Sequence, residues 1–203
     1  TNLEWFVNNF CYEEKQEARA RGISVYDVCN EKVASVESCG NALFHPYLFG
    51  SDVQATARAG FYGLGAWHTK AHVMRALYEG VVYGHLGHVE KLRAAGARIE
   101  KARMTGGGSH SRVWTQMFSD ALQLPVEVPE GAEVAARGVA MAAGVGAGVY
   151  ADYAAAVARV VQIEREHRPD PQAAPAYLAR YEEYTTILEA MKEPWNRLAR
   201  LNA

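Results

Sequence analysis

The sequence predicts a helix-rich α/β fold with a small sheet. Apolar residues recur at helical spacing over most of the 203 residues. Strand-like segments stand out only at 98–105 and 125–128. Because a sheet of two or three strands is too small to cover so many helices, either the fold is mainly helical or the chain is part of something larger.

The first part of the chain predicts three helices. Thr1 or Asn2 caps the first helix, and the apolar residues that follow repeat on one face. The charged stretch at 13–21 is typical of a solvated helical face, and Gly22 ends it. A short helix is then predicted over 25–36.

Residues 39–65 predict irregular structure, which is long for a loop in a compact domain and indicates a function or a covering role. A long helix is predicted over 69–95, with Gly80, Gly84 and Gly87 near one stripe. Each glycine costs about 1 kcal/mol of helix propensity relative to alanine. Close packing or a functional constraint is therefore expected along that stripe.

The second half of the chain predicts strands and helices in turn, followed by a helical tail. A strand at 98–105 leads to a glycine turn at 106–108 and a helix at 109–122. A short strand at 125–128 and an alanine- and glycine-rich helix at 134–150 follow. The tail at 151–203 is helical and broken by prolines. The alanine- and glycine-rich helix has small side chains, so it is able to lie nearly flush against a sheet or a ligand.

The glycine turn is the most informative local pattern. Gly106, Gly107 and Gly108 stand where a strand gives way to a helix, so bare backbone can approach a ligand closely. The helix N-terminus adds free N–H groups and a partial positive charge, which suit a phosphate. The same glycines also fit a plain tight turn from strand to helix, and the local pattern leaves both interpretations open.

Composition narrows the class of protein. The chain is 49% hydrophobic and 22% charged, with a net charge of -2, as in ordinary globular proteins. This charge gives no reason to expect a nucleic-acid partner, and no apolar run reaches the length of a membrane span. Cys11, Cys29 and Cys39 lack CxxC spacing and are typical of reduced thiols, so we expect a cytoplasmic protein.

The histidines do not predict a metal site. His68 and His72 are four residues apart and His85 and His88 three apart on one predicted helix, and the two pairs point in different directions. Satisfied or exposed histidines are the favoured interpretation. The sequence also has no GxSxG elbow, CxxC pair or Walker lysine motif. We therefore predict no metal ligand in this chain.

Three blocks of sequence carry a family resemblance. They are AGFYGLGAWHTKAHVMRALYE at 59–79, MTGGGSHSRVWTQMFSDALQLPVEV at 104–128 and EVAARGVAMAAGVGAG at 133–148. They resemble, in order and spacing, the signature, the adenosine-binding segment and the closing helix of the C-terminal half of the FGGY carbohydrate kinases. The opening NLEWFVNNF at 2–10 and GGGSHSRVWTQM at 106–117 are most similar to pentulose kinases of the xylulose and L-xylulose type.

The resemblance implies the α/β fold of an actin-like ATPase (ribonuclease H-like) domain. Residues 1–203 would be part of the C-terminal lobe of an FGGY-type kinase, while the sugar-binding lobe and the catalytic base would lie before these residues. The full-length protein would move the γ-phosphate of ATP to a hydroxyl of a sugar or polyol, such as the ketopentose xylulose, with Mg²⁺ bridging the phosphates. This chain alone would supply part of the ATP site without catalysing. The resemblance also implies a homodimer.

The family's nucleotide contacts carry over to the glycine turn. Gly106, Gly107 and Gly108 would face the phosphates and the ribose, Ser111 matches an adenine-contacting position, and Ser109 would flank the pocket. The alternative is a helical scaffold or interaction module that keeps the nucleotide-lobe fold without activity. An actin-like, nucleotide-dependent regulator is a third interpretation.

Overall fold

The computed structural model describes residues 1–131 and 133–202 and divides them into short helices, two long helices and five short strands. The helices are α1 (Asn2–Phe10), α2 (Tyr12–Arg21), α3 (Val25–Ala34), α4 (Lys70–Ala94), α5 (Arg112–Leu122), α6 (Val134–Gly146), α7 (Tyr153–Val160) and α8 (Ala174–Ala199). The strands are β1 (Leu43–His45), β2 (Gly60–Tyr62), β3 (Ala102–Arg103), β4 (Val126–Pro129) and β5 (Ile163–His167). Two 3₁₀ turns cover Gly107–His110 and Arg200–Asn202.

The three predicted N-terminal helices are confirmed, and their ends follow from local side-chain chemistry. The Thr1 hydroxyl accepts the Glu4 N–H at 3.1 Å and caps α1. The Ser24 hydroxyl caps α3, and the Ser24 N–H donates to Asp27 Oδ2 at 3.2 Å. Gly22 ends α2 with a φ of 65°, a left-handed conformation that glycine adopts without strain.

The prediction of irregular structure over 39–65 is wrong at two places. β1 and β2 pair antiparallel there, with Leu43 opposite Tyr62 and His45 opposite Gly60. Each strand has only three residues, too few to show a period-two pattern in the sequence. β1 is buried against α4, so tertiary packing rather than local preference makes it a strand.

Gly80 explains how α4 comes so close to β1. A Cβ atom added at this position would lie 2.1 Å from the Phe44 carbonyl oxygen. The close packing predicted for the glycine stripe is therefore confirmed at Gly80. At Gly84, by contrast, an added Cβ would meet only Pro46 Cγ at 3.8 Å, an ordinary contact.

The second sheet has the order β3-β4-β5, with β3 parallel to β4 and β5 antiparallel to it. The predicted strand at 98–105 shortens to Ala102–Arg103. The Met104 N–H donates to the Glu127 carbonyl in β4, and the Ala102 N–H donates to the carbonyl of Pro125, the residue before β4. The prediction of an all-helical tail is wrong at β5. Its sequence, IEREH, lacks apolar alternation because most of the strand is exposed, so its backbone pairing leaves no sequence signal.

α6 is shorter than predicted. It ends at Gly146 rather than near residue 150, and none of its residues is buried. It packs on α7, and its close approach to a ligand stays a prediction. In the tail, α8 begins with Pro175 in its first turn, which confirms the break that the prolines predicted.

A buried charge cluster ties α8 to α4. The Glu79 side chain accepts from Arg75 Nε at 2.9 Å and from Arg180 Nε at 3.0 Å. The Cys39 thiol and the Tyr83 hydroxyl also donate to Glu79, at 3.2 and 3.3 Å. Four donors therefore surround one carboxylate that is only 3% exposed. Burial and the nearby Glu79 raise the pKa of the Cys39 thiol to about 12, so it stays protonated.

Candidate functional site

The glycine turn joins β3 to α5 as the sequence predicts, but through an intervening 3₁₀ turn. Gly106 has a φ of 79°, and the Ser109 N–H donates to its carbonyl at 3.0 Å. The 3₁₀ turn then covers Gly107–His110, so the predicted helix at 109–122 begins as α5 only at Arg112. Ser111 is the N-cap, and its hydroxyl accepts the Trp114 N–H at 3.1 Å.

A cavity of about 890 Å³ lies beside this turn. Its walls come from the start of α1, from α3, from the middle of α4 and from the N-terminal part of α5. Gly107 and Gly108 line it on the turn side. An added Cβ at Gly107 would meet no atom within 4 Å, whereas one at Gly108 would lie 3.0 Å from Met104 Cε. Gly107 therefore presents bare backbone to open space.

A hydrogen-bonded group of three side chains forms the wall next to the α5 N-terminus. The Ser111 hydroxyl donates to Asn30 Oδ1 at 2.7 Å, and the Tyr78 hydroxyl donates to the same oxygen at 3.0 Å. Burial raises the pKa of Tyr78 well above its usual value, so its phenol remains a donor. All three residues line the cavity.

Aromatic rings form part of the cavity lining. Trp114 stacks on Tyr78, with ring centroids 4.5 Å apart and planes at 29°. The Trp114 indole N–H donates to the Tyr78 carbonyl at 3.1 Å, which holds α5 against α4. Tyr26 of α3, which is 40% exposed, also lines the cavity.

Only some of the predicted site residues line the cavity. Gly107, Gly108 and Ser111 line the cavity, while Gly106 and Ser109 are outside its described lining. Ser109 is buried, and its hydroxyl donates to the Gly106 carbonyl at 2.7 Å. The Ser111 hydroxyl is engaged by two protein groups. Contact of any of these five residues with a nucleotide stays a prediction.

Sequence reasoning missed the part of the cavity that α1 and α3 supply. Glu4, Tyr26, Asp27 and Asn30 line it, although these helices were predicted only as secondary structure. Tyr26 and Asn30 are four residues apart and so share one face of α3. That spacing is visible in the sequence, but only the tertiary fold brings the face to the glycine turn.

His68 and His72 make hydrogen bonds within the fold. The His68 ring accepts the Gly65 N–H at 2.8 Å and lies 3.2 Å from the Cys39 carbonyl through its other nitrogen. His72 Nδ1 lies 2.8 Å from the Thr69 hydroxyl at the start of α4. Within residues 1–131 and 133–202, no three His, Cys, Asp or Glu side chains come together as a metal site.

A second cavity, of about 970 Å³, lies between α4, α8 and the segment around residues 46–53. Its charged groups are largely paired with each other. Lys91 donates to Asp52 at 2.7 Å, and the Tyr181 hydroxyl donates to Glu90 at 2.8 Å. The lysine lowers the pKa of Asp52 below its usual value. This cavity does not include the glycine turn, but it adjoins the first cavity, because Asn2, Val81 and His85 line both.

Comparison with known proteins defines the class. The model of the FGGY family of carbohydrate kinases, C-terminal domain, matches residues 1–147. The chain therefore belongs to this family, as its sequence blocks predicted. Its helix-rich α/β fold is that of the actin-like ATPases, which confirms the predicted fold class.

The similar proteins include kinases of the xylulose type. The L-xylulose/3-keto-L-gulonate kinase of Escherichia coli K12 is 36% identical over 94% of this chain and 36% of its own length. The probable L-xylulose kinase of Haemophilus influenzae is 32% identical over 94% of this chain and 36% of its own length. The xylulose kinase of Rhodospirillum rubrum superimposes with a TM-score of 0.83 at 26% identity, over 96% of this chain and 38% of that one. The chain thus spans little more than a third of these proteins' length.

Two further findings concern membrane-spanning helices and the cysteines. No helix in the described part of the chain is both long and apolar enough to cross a membrane. All three cysteines are free and buried.

Proposed function

We propose that the full-length protein is a kinase that transfers the γ-phosphate of ATP to a hydroxyl of a sugar or polyol. A ketopentose such as xylulose or L-xylulose is the proposed acceptor, because relatives at 36% and 32% identity carry the names of L-xylulose kinases. Residues 1–203 would be part of the nucleotide-binding lobe, and the sugar-binding lobe and catalytic base would lie in preceding chain. The scaffold interpretation gives no reason for an open cavity at the glycine turn.

The observation that carries the proposal is the bare backbone of Gly107 at the cavity. No neighbouring atom fills the space that its missing side chain leaves, so an anionic group can approach the peptide directly. The N-terminus of α5 follows within a few residues and adds a partial positive charge. The chain's own part in the reaction would be to hold and orient the nucleotide, since positioning supplies most of the catalysis in phosphoryl transfer.

Mg²⁺ is the proposed ion that would bridge the phosphates of the nucleotide, with the phosphates and water supplying most of its ligands. The homodimer, the cytoplasmic location and the lack of nucleic-acid or membrane partners stay predictions.

The test is a Gly107→Val substitution in the full-length protein. The backbone at Gly107 tolerates a side chain, but the valine methyl groups would project into the cavity. Loss of one charge-assisted hydrogen bond corresponds to about 1.5–3 kcal/mol, so KM for ATP should rise about 10- to 150-fold. KM for the sugar should change little, because the acceptor pocket lies elsewhere.

The assay couples ADP release to a spectrophotometric readout and screens pentuloses, hexuloses and small polyols with Mg-ATP. Gly84→Ala is the matched control, since its added methyl meets only an ordinary contact in α4 and lies outside the nucleotide cavity. If KM for ATP is unchanged in Gly107→Val, the assignment of the nucleotide site to the glycine turn is wrong. Absence of phosphorylation with any acceptor would instead favour the non-catalytic scaffold.

A further inference from the structure

Asn30 holds a fixed orientation at the cavity wall. It lies on α3 and is half-buried, and its side-chain oxygen accepts both the Ser111 and the Tyr78 hydroxyls. The Ser111 oxygen already accepts the Trp114 N–H, so its own proton is free for Asn30. The Tyr78 phenol is protonated because it is buried. Two donors therefore hold the oxygen side of the amide against the protein.

This arrangement leaves the other side of the amide available to a ligand. Within the described residues, Asn30 Nδ2 donates to no protein group. Since Asn30 lines the cavity, its NH₂ group is a hydrogen-bond donor presented to whatever occupies that space. Such a donor recognises an acceptor atom and disfavours a second donor.

The neighbouring aromatic ring indicates which part of a nucleotide reaches Asn30. Tyr26 lies one turn earlier on the same face of α3, is 40% exposed and lines the cavity. An exposed ring beside an amide donor suits a flat heteroaromatic base, which can stack on the ring and accept a hydrogen bond at its edge. The anionic end of the ligand would then lie toward Gly107.

We propose that Asn30 is a specificity-determining residue that donates a hydrogen bond from Nδ2 to a ring nitrogen of the purine base. This inference rests on the proposed ATP-dependent function. Ser111 and Tyr78 act as positioning residues, because they aim the amide and do not themselves donate to the base. Ser111 would thus serve the adenine through Asn30 as well as through its place at the helix N-cap.

The first test is Asn30→Asp in the full-length protein, with ATP affinity measured by isothermal titration calorimetry. Aspartate keeps an acceptor for Ser111 and Tyr78 but replaces the NH₂ donor by an oxygen. ATP Kd should rise about 10-fold or more, because a hydrogen bond is lost and a carboxylate oxygen faces a ring nitrogen. Asn8→Asp adds the same charge on the exposed face of α1, where its oxygen keeps the Lys15 bond at 3.1 Å, and should leave ATP Kd unchanged.

The second test removes the acceptor from the ligand instead. The wild-type protein is titrated with 1-deaza-, 3-deaza- and 7-deaza-ATP, each of which lacks one ring nitrogen. One analogue should bind about 3- to 10-fold more weakly than ATP, and Asn30→Asp should no longer distinguish that analogue from ATP. A purely structural role for Asn30 would not produce this coupling.

The outcomes separate the two proposals. If the wild-type protein does not bind ATP, the proposed function fails. If it binds ATP but all three deaza analogues bind equally well, or Asn30→Asp binds ATP like the wild type, only the role of Asn30 is overturned. The wild-type analogue series needs no variant, so it decides the question even if Asn30→Asp does not fold.

Discussion

Replacing Glu79 by glutamine tests how α4 and α8 are held together. Glu79 closes the signature block on α4 and accepts from Arg75 on the same helix and from Arg180 on α8. The two arginine side chains are only 15% and 18% exposed. Glutamine keeps the size of the side chain but removes its charge, which leaves two guanidinium groups buried without their anion.

The expected loss is large because both partners are desolvated. Breaking a buried ion pair from one side costs about 3–5 kcal/mol. For a domain of about 200 residues that unfolds as one unit, this loss corresponds to a fall of about 6–20 °C in the Tm of that domain. Four donors share this one carboxylate, so the loss should lie in the upper part of that range.

The assay is thermal and urea unfolding of the full-length protein, followed by circular dichroism. Glu17→Gln is the matched control, because Glu17 and Arg21 form an i,i+4 pair like that of Arg75 and Glu79 but are 42% and 41% exposed. The control should lose no more than about 1 kcal/mol. A loss in Glu79→Gln as small as that of the control would refute the view that the buried cluster joins α4 to α8.

Two other perturbations follow from local geometry. Gly80→Ala should destabilise by about 1–3 kcal/mol because its Cβ would overlap a β1 carbonyl oxygen, whereas Gly84→Ala should be neutral or stabilising in the same urea titration. Lys101 and Arg103 lower the pKa of Glu127 below 4.5, so the stabilisation is present above pH 4.5 and is lost as the pH falls through the lowered pKa. The difference in urea midpoint between wild type and Glu127→Gln should therefore shrink on acidification, and a constant difference would contradict this.

The helices were predictable from sequence where caps and periodicity agree. Thr1 and Gly22 mark helix ends by chemistry that acts over three or four residues, and the structure confirms both, whereas the Ser24 cap of α3 was missed. The strands were harder. β1 and β2 are three residues long, and β5 is charged and mostly exposed, so backbone pairing and burial decide their conformation.

The candidate site was likewise predictable from the sequence only in part. The glycine turn was visible because three consecutive glycines between a strand and a helix have a direct physical meaning. The face of α3 that carries Tyr26 and Asn30 was not, because 81 residues separate Asn30 from Ser111. Only the packing of α3 against α5 joins them, and local pattern carries no information about that contact.

A crystal structure of the full-length protein with bound ADP is the most direct test of the nucleotide site. We expect the phosphates or the ribose within hydrogen-bond distance of the Gly107 backbone, with the base against Tyr26 and a ring nitrogen facing Asn30 Nδ2. Nucleotide bound elsewhere, with the cavity beside Gly107 filled by another part of the chain, would contradict the assignment.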